Sequence, residues 1–359
     1  MTDFNKLNQL VADGYLVKSE LDNLVLYNYT QKTTFDSHWI PETLNARGTI
    51  YNKVSGKVEA YAFPKFFNVN QHQSTELRNL PKEKFIAFEK MDGSLGTLFR
   101  HGGVFRVATR GSFYSDQAVE ANKMLGKYEL GSIPRETNLL FEIIYPENKI
   151  IVNYGKKREL VLLGAYDRIT GEEVPWQGVV ELAKLCGFPV PKVYDATIDE
   201  LIKMAEMLPP DNEGWVLRFT PSNFRVKIKG AEYLKMAKFL YYMSPIAVWE
   251  AMYEERVGER LKDAPDEFLG ELTGVLRKLT KQYRILSRKL EKCAKKLKLS
   301  KIDTSDKEAV KKVAMKINKH APPVRGYLFG VMRGKNMRNY IYDLIRPDAN
   351  QYRDVKKIL

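Results

Sequence analysis

The sequence predicts an α+β chain in which a strand-rich front is followed by an all-helical back. Three observations carry this expectation. Short runs rich in β-branched and aromatic residues fill the first two thirds, leucines recur at alternating steps of four and three in the last third, and positive charge concentrates behind residue 243. A chain of 359 residues, 44% of them hydrophobic, can bury a large core and divide in two. The expected domains are residues 1–243 and 244–359.

In chain order, the expected strands are Phe85 to Met91, Leu95 to Phe99, Val104 to Thr109, Asn138 to Ile144, Leu160 to Tyr166, Gly214 to Phe219 and Arg225 to Ile228. The turn pairs Asp92-Gly93 and Gly102-Gly103 separate neighbouring runs, which points to largely antiparallel sheets. Two helices interrupt them. One covers about Gln177 to Leu185, and the other opens at Thr197, whose hydroxyl pairs with Glu200 in a capping box. The boundary falls at Ser244-Pro245, a helix-capping serine followed by a proline suited to the first helical position. Beyond it, Leu272, Leu276, Leu279, Tyr283, Leu286, Leu290, Cys293 and Leu297 form the seam of a long amphipathic helix.

That helix is strongly basic elsewhere: between Arg277 and Lys298 stand ten Lys or Arg and one acid, Glu291. Residues 244–359 hold 27 Lys+Arg against 15 Asp+Glu, while residues 1–243 are nearly balanced at 31 against 29. A cationic back third suits a polyanion through counterion release, or serves solubility as a solvated lysine-rich surface. No run approaches a membrane span and the start lacks a secretory pattern, so a cytoplasmic protein is expected. Cys186 and Cys293 have no metal-ligand spacing, and His38, His72, His101 and His320 are scattered, so neither a zinc cluster nor a histidine metal site is expected.

Charged residues inside apolar strands single out the chemistry. Glu142 sits in Phe141-Glu142-Ile143-Ile144, Glu213 opens Glu213-Gly214-Trp215-Val216, and Lys227 and Lys229 alternate on one strand face. Buried charges are costly unless paired or used. Glu89-Lys90-Met91-Asp92-Gly93-Ser94, read alone, is a hairpin turn with Lys90 in water.

Taken in order, Lys90, Glu142, Glu213, Lys227 and Lys229 resemble the covalent nucleotidyltransferases, the superfamily of polynucleotide ligases and messenger-RNA capping enzymes. The likeness narrows to the phage tRNA-repair RNA ligase family on Tyr27-Asn28-Tyr29, Ala46-Arg47-Gly48, Lys65-Phe66-Phe67-Asn68-Val69-Asn70, Tyr145 to Ile151 and Tyr233. It covers about residues 20–240, with Tyr327-Leu328-Phe329-Gly330 beyond. At Arg110-Gly111-Ser112 the family's best-known member carries lysine instead of Arg110, a change that keeps the charge but not the geometry.

The resemblance implies ATP as substrate, AMP carried on Lys90, and Mg2+ held by Asp92, Glu142 and Glu213. It implies catalytic roles for Lys90, Lys227 and Lys229. Tyr27, Arg47, Lys65, Phe67, Glu89, Gly93, Arg110, Glu142 and Glu213 complete the implied nucleotide site, with core packing the alternative for Tyr27 and Phe67 and a surface ion pair for Arg47 and Lys65. The implied partner is RNA with 5′-phosphate and 3′-hydroxyl ends, such as a nicked tRNA, joined by a monomer in three in-line transfers. A free lysine titrates near 10.4, so its amine needs activation, and Arg47, Lys227, Lys229 and a bound cation are the candidates. A DNA ligase or capping enzyme would share this chemistry but add a small β-barrel where helices are expected here. A non-catalytic RNA-binding protein would take up no AMP.

Overall fold

The computed structural model describes residues 3–262, 269–348 and 351–355. Residues 263–268, 349–350 and 356–359 of the expected helical segment lie outside the described residues. The strands are β1 (Leu16–Leu21), β2 (Leu24–Tyr29), β3 (Arg47–Asn52), β4 (Val58–Ala60), β5 (Phe67–Asn68), β6 (Lys84–Glu89), β7 (Ser94–His101), β8 (Val104–Thr109), β9 (Thr137–Ile144), β10 (Glu159–Asp167), β11 (Val193–Tyr194), β12 (Gly214–Thr220) and β13 (Arg225–Lys229). They form three sheets, ordered β1-β2-β3-β4, β10-β9-β7-β8 and β11-β6-β12-β13-β5. Every pair is antiparallel except β13 with β5. The α+β expectation therefore holds.

Each sheet owes its position to an apolar face. β9 is a near-continuous apolar run because it is covered on both sides, as central strands are. The helices Asp116–Met124 and Trp176–Cys186 pack on one side of its sheet through Ala121, Met124, Val179 and Ala183. The helix Phe4–Ala12 covers the first sheet through Leu7 and Leu10. The helix Ile198–Met207, with the expected Thr197–Glu200 capping box, covers the third sheet through Leu201 and Ala205.

One expectation fails here. Asp92-Gly93 is not a hairpin turn, because β6 and β7 belong to different sheets and the chain crosses between them at this point. The hairpin is at Gly102-Gly103, where His101 pairs with Val104.

The chain separates into two compact units, Met1–Lys235 and Met236–Leu359, a division that falls inside the helix Ala231–Met243. In the second unit every element described is helical, and the helix that follows Ala231–Met243 is Pro245–Tyr253, capped by Ser244. The helix Leu269–Lys296 buries Leu272, Leu279, Leu286 and Leu290 in that unit's core, alongside Trp249, Leu328 and Ile345. No described helix is long and apolar enough to cross a membrane.

Candidate active site

Lys90 follows β6, and its amide donates to the Gly214 carbonyl at 2.8 Å, which ties it to the entry of β12. Glu213 immediately precedes that strand. Gly214 has φ +120°, and a Cβ there would meet the Ile228 carbonyl oxygen at 2.1 Å, so only glycine lets the chain place Glu213 at this point. The Glu213 carboxylate, 4% exposed, bridges two ammonium groups: Oε2 lies 2.7 Å from Lys90 Nζ and Oε1 lies 2.8 Å from Lys229 Nζ. Lys90 is therefore neither solvent-stranded nor surrounded by cations alone. It is held in place by a carboxylate that a second lysine also holds.

Lys90 opens onto a cavity of about 140 Å³. Arg47, Glu89, Glu142, Arg225, Lys227 and Lys229 supply its charged lining, and Phe63, Phe66, Phe88, Leu163, Pro191 and Val216 supply apolar walls. Glu142, on β9, accepts from the Gly93 amide at 3.0 Å. A Cβ at Gly93 would meet the Ile143 carbonyl oxygen at 2.6 Å, so this approach too requires glycine. Enclosure by protein pushes the Glu142 carboxyl up to about 7, against the pull of Lys90 and with a further push from Glu213. Lys227 moves the other way. Burial, then Lys65, Lys90, Lys229 and Arg47, lower its ammonium to about 7. Arg47 and Lys227 both sit over the Phe66 ring, at 5.3 and 5.4 Å from its centroid.

A second group of cations adjoins the first. Arg110 Nη1 and Lys65 Nζ donate to the Tyr29 hydroxyl at 3.1 and 3.4 Å. Burial would raise the Tyr29 hydroxyl, but Arg110, Lys65 and Arg47 together outweigh it and the net shift is downward. Lys65 is itself lowered, chiefly by burial. Among the described residues, Arg47, Lys65, Arg110 and Lys227 form no ion pair.

Several expected roles change. Among the described residues no three His, Cys, Asp or Glu are grouped to hold a metal, although Glu213 lies near enough to Glu142 to raise its carboxyl. Asp92 is an anchor: Oδ1 accepts from the Tyr233 hydroxyl at 2.9 Å, and Oδ2 accepts from the Ile151 and Val152 amides at 2.9 and 2.8 Å. Those bonds occupy both oxygens and pin the segment after β9. Tyr27 lies under the helix Phe4–Ala12, 2% exposed, in the core of the first sheet. Its neighbour on the same strand face, Tyr29, stands at the strand end beyond that cover and reaches the cations instead. Phe67, in β5, packs against Trp39 and His72, whereas Phe66, just before that strand, lines the cavity. Glu89 lines the cavity, but its amide is committed to the Lys192 carbonyl at 2.8 Å.

Arg225 is a site residue that the motifs do not mark. It shares a face with Lys227 and Lys229 by strand alternation, which is the signal the sequence holds for it. Its guanidinium lies 4.3 Å from the Phe63 ring centroid and pairs with the buried Glu173.

The Glu142 shift has a consequence for stability. Its folded value, about 7, exceeds the ordinary 4.5, so the folded protein keeps a proton that the unfolded chain has released. The stabilisation is fully present below about 4.5 and is lost as pH rises through about 7. Glu142→Gln is expected to flatten the decline in urea-unfolding free energy between pH 5 and pH 7.5; an unchanged slope would assign that decline to other groups.

Lys90, fixed by a carboxylate, thus stands beside a cavity lined by several cations. The family model for RNA ligases of the phage type matches residues 45–233, and the chain belongs to that RNA ligase family. A Thermovibrio ammonificans protein named "Putative RNA ligase" is 26% identical over 344 residues, covering 86% of this chain and 85% of its own. An archaeal ATP-dependent RNA ligase structure superposes with a TM-score of 0.51 at 14% identity over 93% of this chain and 96% of that one, a likeness of fold. A Naegleria gruberi RNA ligase structure is 21% identical with a TM-score of 0.36, over 44% of this chain and 52% of that one.

Proposed function

We propose that this ligase joins RNA 5′-phosphate and 3′-hydroxyl ends at the expense of ATP, through AMP carried on Lys90. The observation that carries the reading is the Lys90–Glu213–Lys229 array at the mouth of a cavity in which Arg47 and Lys227 form no ion pair among the described residues. Lys90 Nζ attacks the α-phosphorus of ATP; a phosphorus–nitrogen bond forms and the bond to the pyrophosphate oxygen breaks. The 2.7 Å contact with Glu213 fixes the amine and gives its departing proton a route. Arg47 and Lys227 face the charge that develops on the phosphoryl oxygens. An RNA 5′-phosphate oxygen then displaces Lys90, which regains a proton, and the RNA 3′-hydroxyl displaces AMP from the activated end.

A divalent cation such as Mg2+ would be held by Glu142, whose enclosed carboxyl lacks an ion-pair partner among the described residues, whereas both oxygens of Asp92 and of Glu213 are engaged. Bound, it would neutralise phosphate oxygens. Incubation with ATP and Mg2+, followed by intact-mass analysis and peptide mapping, tests the reading. AMP on Lys90 is expected; no mass gain, or AMP elsewhere, would overturn it.

The helical unit is proposed to hold structured RNA, such as a nicked tRNA loop. Arg277, Lys281, Arg284 and Arg288 share one helix face and line an open groove of about 530 Å³ with Thr280. None forms an ion pair among the described residues. Changing all four to glutamine is expected to lower the slope of log affinity against log salt for a nicked hairpin RNA by about 3, at roughly 0.7–0.9 for each phosphate no longer neutralised. An unchanged slope would place the RNA on another surface.

A further inference from the structure

In-line geometry makes the leaving group of one transfer and the nucleophile of the next share a position. Pyrophosphate leaves the α-phosphorus opposite Lys90, and the RNA 5′-phosphate oxygen must attack the same phosphorus from opposite Lys90. Cations that face departing pyrophosphate therefore face the RNA 5′-phosphate in the second transfer. Of the cations without an ion pair among the described residues, Lys65 and Arg110 stand outside the cavity lining and meet at Tyr29. Lys227 connects them to the cavity: its strand pairs with β5, and Val69 donates to its carbonyl at 2.9 Å. The nucleoside carrying the 5′-phosphate must lie within one nucleotide of these groups.

Aromatic side chains converge there. Lys65 Nζ lies 5.2, 5.4 and 5.4 Å from the ring centroids of Tyr29, Trp39 and Phe67. Trp39 meets Tyr29 and Phe67 edge to face, at 5.2 and 5.3 Å between centroids, and is only partly buried. Asn68 Oδ1 and His72 Nε2, on the same segment as Phe67, are buried atoms without a hydrogen-bond partner among the described residues. Such atoms are costly unless a ligand meets them, and ribose hydroxyls have the chemistry to do so. A phosphate-seeking cation framed by partly exposed rings is the composition of a single-stranded nucleic-acid platform, where rings stack bases of any sequence.

Building on the ligase function proposed above, we propose that Trp39 is the stacking surface for the 5′-terminal nucleobase of the RNA whose phosphate Lys65 and Arg110 hold. The stack positions the 5′-phosphate for attack on the adenylate, so its loss falls on RNA use in the second transfer.

The test isolates the enzyme as lysyl-AMP and then measures AMP transfer to 5′-phosphorylated RNA. Wild type, Trp39→Ala and Trp39→Phe are each given RNA with an ordinary or an abasic 5′-terminal nucleotide. Trp39→Ala is expected to raise the KM for ordinary RNA about tenfold, and Trp39→Phe to recover most of it. The abasic end should penalise wild type by a similar factor and add nothing in Trp39→Ala. Trp39→Leu, which keeps apolar bulk without a ring face, runs the same cycle if the alanine variant does not fold. Additive penalties, or no abasic penalty in wild type, would overturn the Trp39 assignment alone. Failure of wild type to yield lysyl-AMP would overturn the ligase function beneath it as well.

Discussion

Lys90→Ala is expected to abolish AMP attachment, a loss of more than about a thousandfold, because it removes the amine that Glu213 Oε2 holds at the cavity mouth. The variant should still fold. Glu213 keeps its 2.8 Å contact with Lys229 when Lys90 is truncated, so its carboxylate is not left without a partner. Lys90→Arg sharpens the test, since a guanidinium can pair with Glu213 yet never offers a free amine. The readouts are intact mass after ATP treatment and thermal unfolding of both variants. The competing nucleophile is Lys227. It lines the same cavity without an ion-pair partner among the described residues, and its ammonium is lowered to about 7, so near neutral pH much of it is already the free amine. What Lys227 lacks is a carboxylate to fix its direction. AMP found on Lys227 in either variant would mean that availability of the amine outweighs its positioning.

Glu142, Lys227 and Lys229 were legible because they violate local patterns, whereas Lys90 was marked only by the family resemblance. Glu142 interrupts an apolar strand, and Lys227 and Lys229 alternate within one, so their cost had to be repaid by a role. Side-chain direction was less legible wherever it depends on a neighbouring element. Asp92 stands two residues after Lys90, but the strand ends at Glu89 and the chain passes to another sheet, which turns Asp92 toward Tyr233 and the Ile151 and Val152 amides. Tyr27 and Tyr29 share a strand face, and the choice between them rests on where the helix Phe4–Ala12 lies across it. Phe66 and Phe67 are chain neighbours, and a motif match does not resolve which of them lines the cavity. The same holds for the Asp92-Gly93 turn. Its dipeptide suits a hairpin, but only the pairing of β6 with β12 and of β7 with β9 decides that no hairpin forms.

Glu173 was illegible for a related reason, since its partners lie more than forty residues away, and its replacement is expected to cause the largest loss of stability. Glu173 Oε1 meets Arg218 Nη1 at 3.1 Å and pairs with Arg225 Nη2, with all three side chains at most 8% exposed. Arg218 and Arg225 are direct cross-strand partners in β12 and β13, so the carboxylate separates two like charges. Glu173→Ala leaves both guanidiniums buried without their anion, at a cost of about 3–5 kcal/mol. Arg218 retains Asn223 and the Val174 carbonyl, and Arg225 retains the Asn223 carbonyl, which satisfies donors but not charge. Glu173→Gln keeps an acceptor and should fall between alanine and wild type. Adding Arg218→Leu and Arg225→Met to Glu173→Ala should restore most of the loss, because a buried ion cluster replaced as a whole by apolar groups is close to neutral. Urea unfolding of the variants supplies the measurement. A loss under about 1 kcal/mol for Glu173→Ala would mean that water reaches the guanidiniums. Since Arg225 lines the cavity beside Phe63, that outcome would also make this wall of the cavity wet rather than closed.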